Sequence, residues 1–531
     1  MRRKPTGSAS EPSPPAARPA FRARLIPWGL AALSGLLYVA AFPGFDQFYL
    51  AFIAFVPVGL AARDASPRRA LLLGGVMGLV SHLIAYTWLI HMLQVFAYLP
   101  YPVAVLGWVL VCAGQGLSYG VGLALSQWLR RRTGWPYSFT LAVGLTVMDL
   151  CYPLVFPSYI ANTMAGAVWL MQTADLFGVL GITALLGAIN GAVLDAAIAR
   201  REGRALPVRT LATVGALTLA AVGYGAWRTA QVDAEASAAA KLKVGLVQAN
   251  FGGFNNLHAR QQSLIEHLRM TRELSARGLD LVVWPEGALD AQIWPTTNVR
   301  QEILGGTEQA LLFGALRIED NPATGQRLPY NAAFVADKTG QVRGSYDKTE
   351  LLVFGEYIPG GDLFPKLYEW IENASHWGRG QSTAPLVLGD WKLGTFICYE
   401  DIIPRHVQKI MAPRDGARPD VMVNITNDSW YGRFKEQAEH LALARFRAVE
   451  HHRALVRSTN TGISAFVDPA GRVVSQTPMF RPATLVGEVP RMAGTTLYEI
   501  VGDVIGYVAV ALLAIGFVLG RRRSKGVPSV P

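Results

Sequence analysis

The sequence predicts a multi-span α-helical membrane bundle carrying an α/β extracytoplasmic domain. Three observations predict it. Long apolar stretches recur through the N-terminal half, and the loops between them alternate between basic and lacking Lys and Arg. The hydrophilic block from about 228 to 500 alternates strand-like with helix-like segments. Composition agrees: of 531 residues, 51% are hydrophobic and 16% charged, too apolar for an ordinary soluble enzyme. A net charge of +11 invites a nucleic-acid reading. The basic residues cluster between apolar stretches, where membrane topology explains them better, so no nucleic-acid partner is expected.

Residues 1–24, rich in Pro, Ser, Ala and Arg, read as a disordered basic tail. The apolar run that follows is succeeded by further spans, so retention is expected rather than signal cleavage. Spans are expected near 26–42, 47–62, 70–90, 103–129, 138–156, 171–199 and 209–227, with a last one near 504–520. One such stretch alone is as readily a buried core helix. So many in succession leave no polar shell to cover them.

The tail carries Arg2, Arg3, Lys4, Arg18, Arg22 and Arg24, and Pro43 to Asp46 has no Lys or Arg. Arg63, Arg68 and Arg69 follow, then a stretch without either from His91 to Pro102. Arg130, Arg131 and Arg132 precede another from Phe156 to Leu170, and Arg200, Arg201, Arg204 and Arg209 come next. Arg521, Arg522, Arg523 and Lys525 follow the last span. Every second loop is basic, so the positive-inside rule predicts both termini in the cytoplasm and the block 228–500 outside. The expected domains are the tail 1–24, a membrane domain 25–227 of about seven helices, an extracytoplasmic domain 228–500, and a last helix with a basic tail, 501–531.

Within the block, strands are predicted at Lys243–Gln248, Leu279–Trp284, Leu311–Arg317, Asn331–Asp337, Lys392–Cys398, Val421–Thr426, Ala454–Ser458, Ser464–Asp468 and Val473–Gln476. Helices are predicted at Arg260–Arg277 and Gln437–His451.

Cys398 closes an apolar strand-like run. Of the three cysteines, Cys112 and Cys151 fall inside apolar segments, so Cys398 is the one thiol of the hydrophilic block. Alone, it reads first as a small buried hydrophobe. Three more polar positions that read as strand ends, Glu286, Lys348 and Glu356, change the weighing. Singly, Glu286 is as readily a helix N-cap, and Lys348 is ordinarily a solvated loop residue. Together, thiol, carboxylate and lysine form a nucleophile, a base and an electrophilic stabiliser. Glu286 can take the thiol proton and later return it to, or accept one from, the second substrate. Lys348 lowers the thiol pKa and donates to an oxyanion, with the backbone N–H beside Cys398 as a second donor. The histidines are scattered, and His451-His452 lacks ligand spacing. No metal and no cofactor is expected. The aromatic-rich stretch Leu363 to Trp377 reads equally as a lid touching lipid or as a packed loop.

The motifs Trp284-Pro285-Glu286, Tyr346-Asp347-Lys348, Phe354-Gly355-Glu356 and Ile397-Cys398-Tyr399-Glu400 resemble the nitrilase, or carbon–nitrogen hydrolase, superfamily. With the spans, nearly everything after the tail resembles the apolipoprotein N-acyltransferase family. Asn424 to Gly432 and Arg457 to Gly462 also match its pattern. The resemblance implies an αββα sandwich on a helix bundle in the bacterial inner membrane, facing the periplasm. It implies a ping-pong reaction in which Cys398 takes an acyl chain from a phospholipid, typically phosphatidylethanolamine, as a thioester. The N-terminal α-amine of a diacylglyceryl-cysteine apolipoprotein then accepts the chain. Carried over, Glu286 is the base, Lys348 the stabiliser and Cys398 the nucleophile, with Glu356, Tyr399 and Glu400 supporting. In one departure, Asn256 and Leu257 stand where the family carries a Lys-Trp pair. Two rival readings remain: a membrane-tethered nitrilase-type amidase or divergent paralogue with the same triad, and a non-catalytic lipoprotein-binding membrane protein.

Overall fold

The computed structural model describes residues 21–95, 97–252, 257–320, 327–352, 356–357, 360–361, 364, 366, 377–414 and 418–525. Among the described residues, five helices are long and apolar enough to cross a membrane: Arg24–Ala41, Pro67–Ala85, Tyr101–Thr133, Ala174–Arg201 and Val208–Ala238. Tyr137–Cys151 and Val504–Gly520 are shorter apolar helices. This is a multi-pass membrane protein.

Three expected spans are broken. The stretch 47–62 is a 3-10 turn, Phe48–Phe52, followed by the helix Val56–Ala62, because Pro57 at its start cannot continue a preceding helix. The stretch 70–90 ends as helix at Ala85 and restarts as Trp88–Val95. The stretch 171–199 bends at Phe177 and Gly178, where Gly178 has φ +61° and ψ −168°. Only glycine adopts that backbone readily, and a Cβ there would lie 2.5 Å from the Tyr498 ring. The helices Pro67–Ala85 and Tyr101–Thr133 pack backbone to backbone. A Cβ on Gly78 would come within 2.0 Å of the Gly116 carbonyl oxygen. Small residues permit that approach, and van der Waals contact then holds helices together where lipid offers no hydrophobic drive.

Among the described residues, the hydrophilic block holds twelve strands in two six-stranded sheets. The strands are β1 (Lys241–Gln248), β2 (Leu281–Val283), β3 (Leu311–Asp320), β4 (Arg327–Ala336), β5 (Val342–Asp347), β6 (Leu386–Leu388), β7 (Trp391–Ile397), β8 (Val421–Thr426), β9 (Leu455–Thr459), β10 (Ala465–Val467), β11 (Val473–Gln476) and β12 (Ala483–Pro490). One sheet runs β12-β1-β2-β3-β4-β5 and the other β11-β10-β9-β8-β7-β6. In each, three successive strands are parallel: β1-β2-β3 and β7-β8-β9.

The two sheets share one core, in which Val244, Leu246 and Val283 of the first meet Phe396, Val423 and Val456 of the second. Outside the first sheet, Met270 and Leu274 of the helix Leu257–Ser275 pack on Val247 and Val282. Outside the second, Leu441, Ala444 and Ala448 of the helix Glu436–His451 join the core. The order is helix, sheet, sheet, helix. Strands β5, β6 and β12 escaped sequence reading. β5 and β12 are mostly half-buried or exposed, and β6, though apolar, has only three residues, too short to stand out.

The two-sheet domain sits on the bundle through the helix Glu436–His451 and the turn before it. Tyr431, Ala442, Phe446 and Val449 belong to the core of the bundle. Gln172 Nε2 donates to the Ala470 carbonyl at 2.8 Å, and His452 Nε2 lies 2.9 Å from Asp175.

Candidate active site

The polar residues singled out in the sequence converge at the carboxyl ends of strands from both sheets, where loops in layered α/β domains gather ligands. Glu286 lies three residues past β2, Lys348 directly follows β5, and Cys398 directly follows β7. Glu356 is not at a strand end. The chain after Lys348 folds back, and the Leu352 N–H donates to Glu356 Oε2 at 2.8 Å. With Asn331, Asn427, Trp377, Trp430 and Tyr431, these four residues line one cavity of about 280 Å3.

Lys348 is 2% exposed. Its Nζ donates to Glu356 Oε1 at 2.8 Å and lies 3.6 Å from Glu286 Oε1. Glu286 is held on both oxygens. Asn331 Nδ2 donates to Oε1 at 2.7 Å and the Asn427 backbone N–H to Oε2 at 2.8 Å. The same Asn331 amide reaches Glu356 Oε1 at 3.2 Å. Asn331 therefore spans the two carboxylates that flank the lysine. Sequence reading missed it, since it is one polar residue inside a strand pattern.

Burial opposes charge on Lys348, but Glu356, Cys398 and Glu286 outweigh it and hold the ammonium well above the usual lysine range. Burial raises the Glu286 pKa; Lys348 works against that rise and Glu356 adds to it. The Cys398 thiol differs from the expectation of a thiol lowered by its lysine. Burial and then the Glu286 charge push it well above the ordinary value, with Lys348 pulling the other way. Burial thus favours the neutral thiol at Cys398, with the Glu286 carboxyl in the same cavity.

The turn that carries Cys398 is anchored on two sides. Cys398 itself has φ +57°, a left-handed backbone that L-residues seldom adopt. Such strain at a strand-to-helix turn projects a nucleophile beyond the sheet edge. On one side Glu400, fully buried, accepts from the N–H groups of Thr349 (2.7 Å), Glu350 (2.9 Å) and Ile397 (2.8 Å) and from the Tyr346 hydroxyl (2.9 Å). Burial pushes its pKa to about 7, and the backbone donors of Glu350 and Ile397 oppose the rise. Tyr399 donates its hydroxyl to the Leu351 carbonyl at 2.8 Å, and Lys348 Nζ lies 5.8 Å from its ring centroid. Tyr399 and Glu400 therefore tie the Cys398 turn to the Lys348 loop.

On the other side Asn424 Nδ2 donates to the Cys398 carbonyl at 2.9 Å. Arg457 Nη1 donates to Asn424 Oδ1 at 2.8 Å and to Asp401 Oδ2 at 2.9 Å. His440 Nε2 lies 2.9 Å from Asp401 Oδ1, and its Nδ1 lies 3.2 Å from Asp428 Oδ1. The sequence marked Asn424, Asp428 and Arg457 only as parts of matching motifs, and Asp401 and His440 not at all. The ligand atoms of Asp428, Glu436 and His440 lie within 4.8 Å of one another, close enough to hold a metal ion. Arg457 Nη2, 3.0 Å from Asp428 Oδ2 and 2.9 Å from His440 Nδ1, already supplies positive charge there. Asn256, Phe354, Gly355 and most of 363–376 lie outside the described residues, as does the Leu257 side chain.

Comparison with known proteins places both halves. Residues 243–497 match the carbon–nitrogen hydrolase family model, and residues 34–192 match the apolipoprotein N-acyltransferase N-terminal domain model. The chain is 30% identical over 508 residues to the apolipoprotein N-acyltransferase of Geobacter metallireducens, covering 93% of this chain and 95% of that one. It is 30% identical over 515 residues to the apolipoprotein N-acyltransferase of Azotobacter vinelandii, again covering 93% and 95%. Among solved structures, Nit3 of Saccharomyces cerevisiae, a nitrilase-superfamily member, aligns with 51% of this chain and 94% of its own at 17% identity and a TM-score of 0.36. With a match of this extent spanning bundle and catalytic domain together, the chain belongs to the apolipoprotein N-acyltransferase family.

Proposed function

We propose that Cys398, Glu286 and Lys348 carry out the family's reaction, transfer of an acyl chain from a membrane lipid to a lipoprotein. The protein is an acyltransferase with lipoprotein and lipid substrates. In the first step the Cys398 sulfur attacks the ester carbonyl of a phospholipid while its proton passes to Glu286. Lys348 Nζ donates to the oxyanion. The tetrahedral intermediate expels the lysophospholipid alkoxide, which takes the proton from Glu286, and a thioester remains on Cys398. In the second step the α-amine of diacylglyceryl-cysteine attacks the thioester and gives a proton to Glu286. Collapse yields the amide, and the proton returns to the Cys398 thiolate. Glu356 and Asn331 hold the base and the ammonium at fixed separation, so the site pays little reorganisation as charge develops.

The observation that carries this assignment is the buried ammonium of Lys348, set between two carboxylates in the cavity that also holds Cys398. The donor of this reading is phosphatidylethanolamine. The membrane is the bacterial inner membrane, with the catalytic domain in the periplasm and both termini in the cytoplasm, as the alternating arginine loops support. A membrane-tethered amidase would use the same triad with water as acceptor, and the lipid-facing bundle favours the transferase.

The test has two parts. Incubation with phosphatidylethanolamine alone should leave an acyl adduct on Cys398 that neutral hydroxylamine removes. Mass spectrometry of a lipoprotein N-terminus should show an N-acyl group only in cells that hold this protein. Turnover without an adduct in wild type would exclude covalent catalysis.

A further inference from the structure

A second, smaller cavity lies where the catalytic domain meets the bundle. Its volume is about 40 Å3, and its wall includes Tyr86, Trp88 and Phe156 from the bundle with Tyr399, Tyr431, Glu436 and Glu439 from the catalytic domain. Tyr431 also lines the cavity that holds Cys398, so the two share a wall.

Two carboxyls in this wall are more than nine-tenths buried: Glu436 is 7% and Glu439 5% exposed. Glu436 Oε2 and Glu439 Oε1 make no hydrogen bond. The Trp88 indole approaches Glu439 without meeting hydrogen-bond geometry. Buried polar atoms are ordinarily satisfied, so two unpaired carboxyl oxygens on one small cavity call for a partner that donates. The charges around them do not supply it. His440 Nδ1 is 3.7 Å from Glu436 Oε1, but His440 and Arg457 are already shared with Asp401 and Asp428. Lys435 Nζ lies over the Phe45 ring at 3.4 Å. Aromatic rings stand beside them in the wall: Trp88 is edge to face with Phe156 and with Tyr431, each at 5.1 Å between centroids. Carboxylates among aromatic rings are the chemistry that binds an ammonium ion.

We propose that this cavity binds the primary ammonium group of a substrate, with Glu436 and Glu439 as its counter-charges. The volume admits an ammonium and the carbon next to it, since one water-sized group needs roughly 10–15 Å3 of such space. Burial raises Glu439 to about 8 and Glu436 well above the usual carboxyl range, and an entering cation removes that cost. The proposal rests on the acyl-transfer reading of the adjoining site. Two substrates of that reaction carry a primary ammonium: the ethanolamine head of a donor lipid and the α-ammonium of the acceptor.

The experiment separates them by half-reaction, in the full-length protein in lipid nanodiscs. Cys398 adduct formation is timed with phosphatidylethanolamine and with phosphatidylglycerol, which has no ammonium. Aminolysis of the preformed adduct is timed with a diacylglyceryl-cysteine peptide, and an N-acetylated copy of that peptide serves as competitor. Wild type, Glu436→Gln and Glu439→Gln are compared. If the site takes the donor head, wild type prefers phosphatidylethanolamine, and the preference falls about tenfold in the variants, the scale of losing a charged hydrogen bond. If it takes the acceptor, the peptide KM rises about tenfold in the variants, and in wild type the acetylated peptide competes about tenfold more weakly than the free amine binds. The wild-type comparisons stand even where a variant fails to fold. Equal rates with both lipids, together with equal binding of free and acetylated peptides in wild type, overturn the proposal. So do folded variants whose lipid preference and peptide KM match wild type. Failure of wild type to form any adduct would instead overturn the acyl-transfer reading.

Discussion

Lys348 makes the sharpest demand on any account of the site. Removing it would leave Glu286 and Glu356 facing one another without their shared cation. Lys348→Ala is expected to slow adduct formation by roughly 100- to 1000-fold, the usual loss for one oxyanion donor. Lys348→Arg keeps the charge but not the reach, and a guanidinium does not fit a 2%-exposed position built for an amine, so it should also lose much of the rate. Single-turnover acyl transfer to Cys398 measures both, and a wild-type rate in Lys348→Ala would remove the lysine from the mechanism. In the proposed mechanism Glu286 is the base and sets the acid limb. Its pKa is raised above the ordinary 4.5, and it acts as base only when ionised, so adduct formation should fail as pH drops through that raised value. The pH–rate profile for adduct formation should therefore turn down at a higher pH than an exposed glutamate would give, and Glu286→Gln should abolish that limb along with the activity.

At the scale of elements, β7 delivers Cys398 while β8, β9 and the helix Glu436–His451 hold the turn after it. Arg457 joins Asn424, Asp401 and Asp428 in one buried network. Arg457→Ala would strand two buried aspartates, and a destabilisation of about 3–5 kcal/mol is expected in chemical unfolding of the catalytic domain. The network also has a pH signature. Burial works against ionised Asp428, but Arg457 and His440 lower its pKa from 3.8 to about 2. Its stabilisation is present above pH 3.8 and is lost as pH falls toward 2. Burial and Arg457 oppose charge on His440, but Asp401 and Asp428 raise it from 6.5 to about 9. That stabilisation is complete below pH 6.5 and is lost as pH rises through 9. Thermal melting should show the stability difference between wild type and His440→Gln shrinking from about pH 6 to about pH 9.5. A difference independent of pH would mean that His440 is not charged in the fold.

The whole molecule is a catalytic sandwich seated on a helix bundle, with the nucleophile's turn close to the seam. Tyr431 lines both the catalytic cavity and the cavity at the seam, and Tyr399, next to the nucleophile, lines the second, so the thiol stands near the join of the two parts. Orientation is testable by insertion. The turn between β4 and β5 exposes Lys338 and Thr339 and can take an insert without disturbing a buried strand. A reporter active only in the periplasm should work when inserted there and fail when fused after Arg523. Activity in the second fusion but not the first would reverse the topology.

The sequence by itself pointed to the membrane bundle, to an α/β block, and to the residues Glu286, Lys348 and Cys398, which the fold brings to one cavity. Hydropathy, loop charge and strand periodicity are local properties, and a thiol, a carboxylate and a lysine at the ends of apolar runs are visible without knowing what they touch. Only the tertiary structure decided the rest. Asn331 sits in a strand, Asp401 and His440 lie 39 residues apart, and neither pattern nor spacing shows that they brace the site. The edge strands β5 and β12 escaped because a half-exposed strand has no continuous apolar run. The elevated thiol pKa escaped for the same physical reason: desolvation depends on what is packed around a group, and packing is a property of the folded chain.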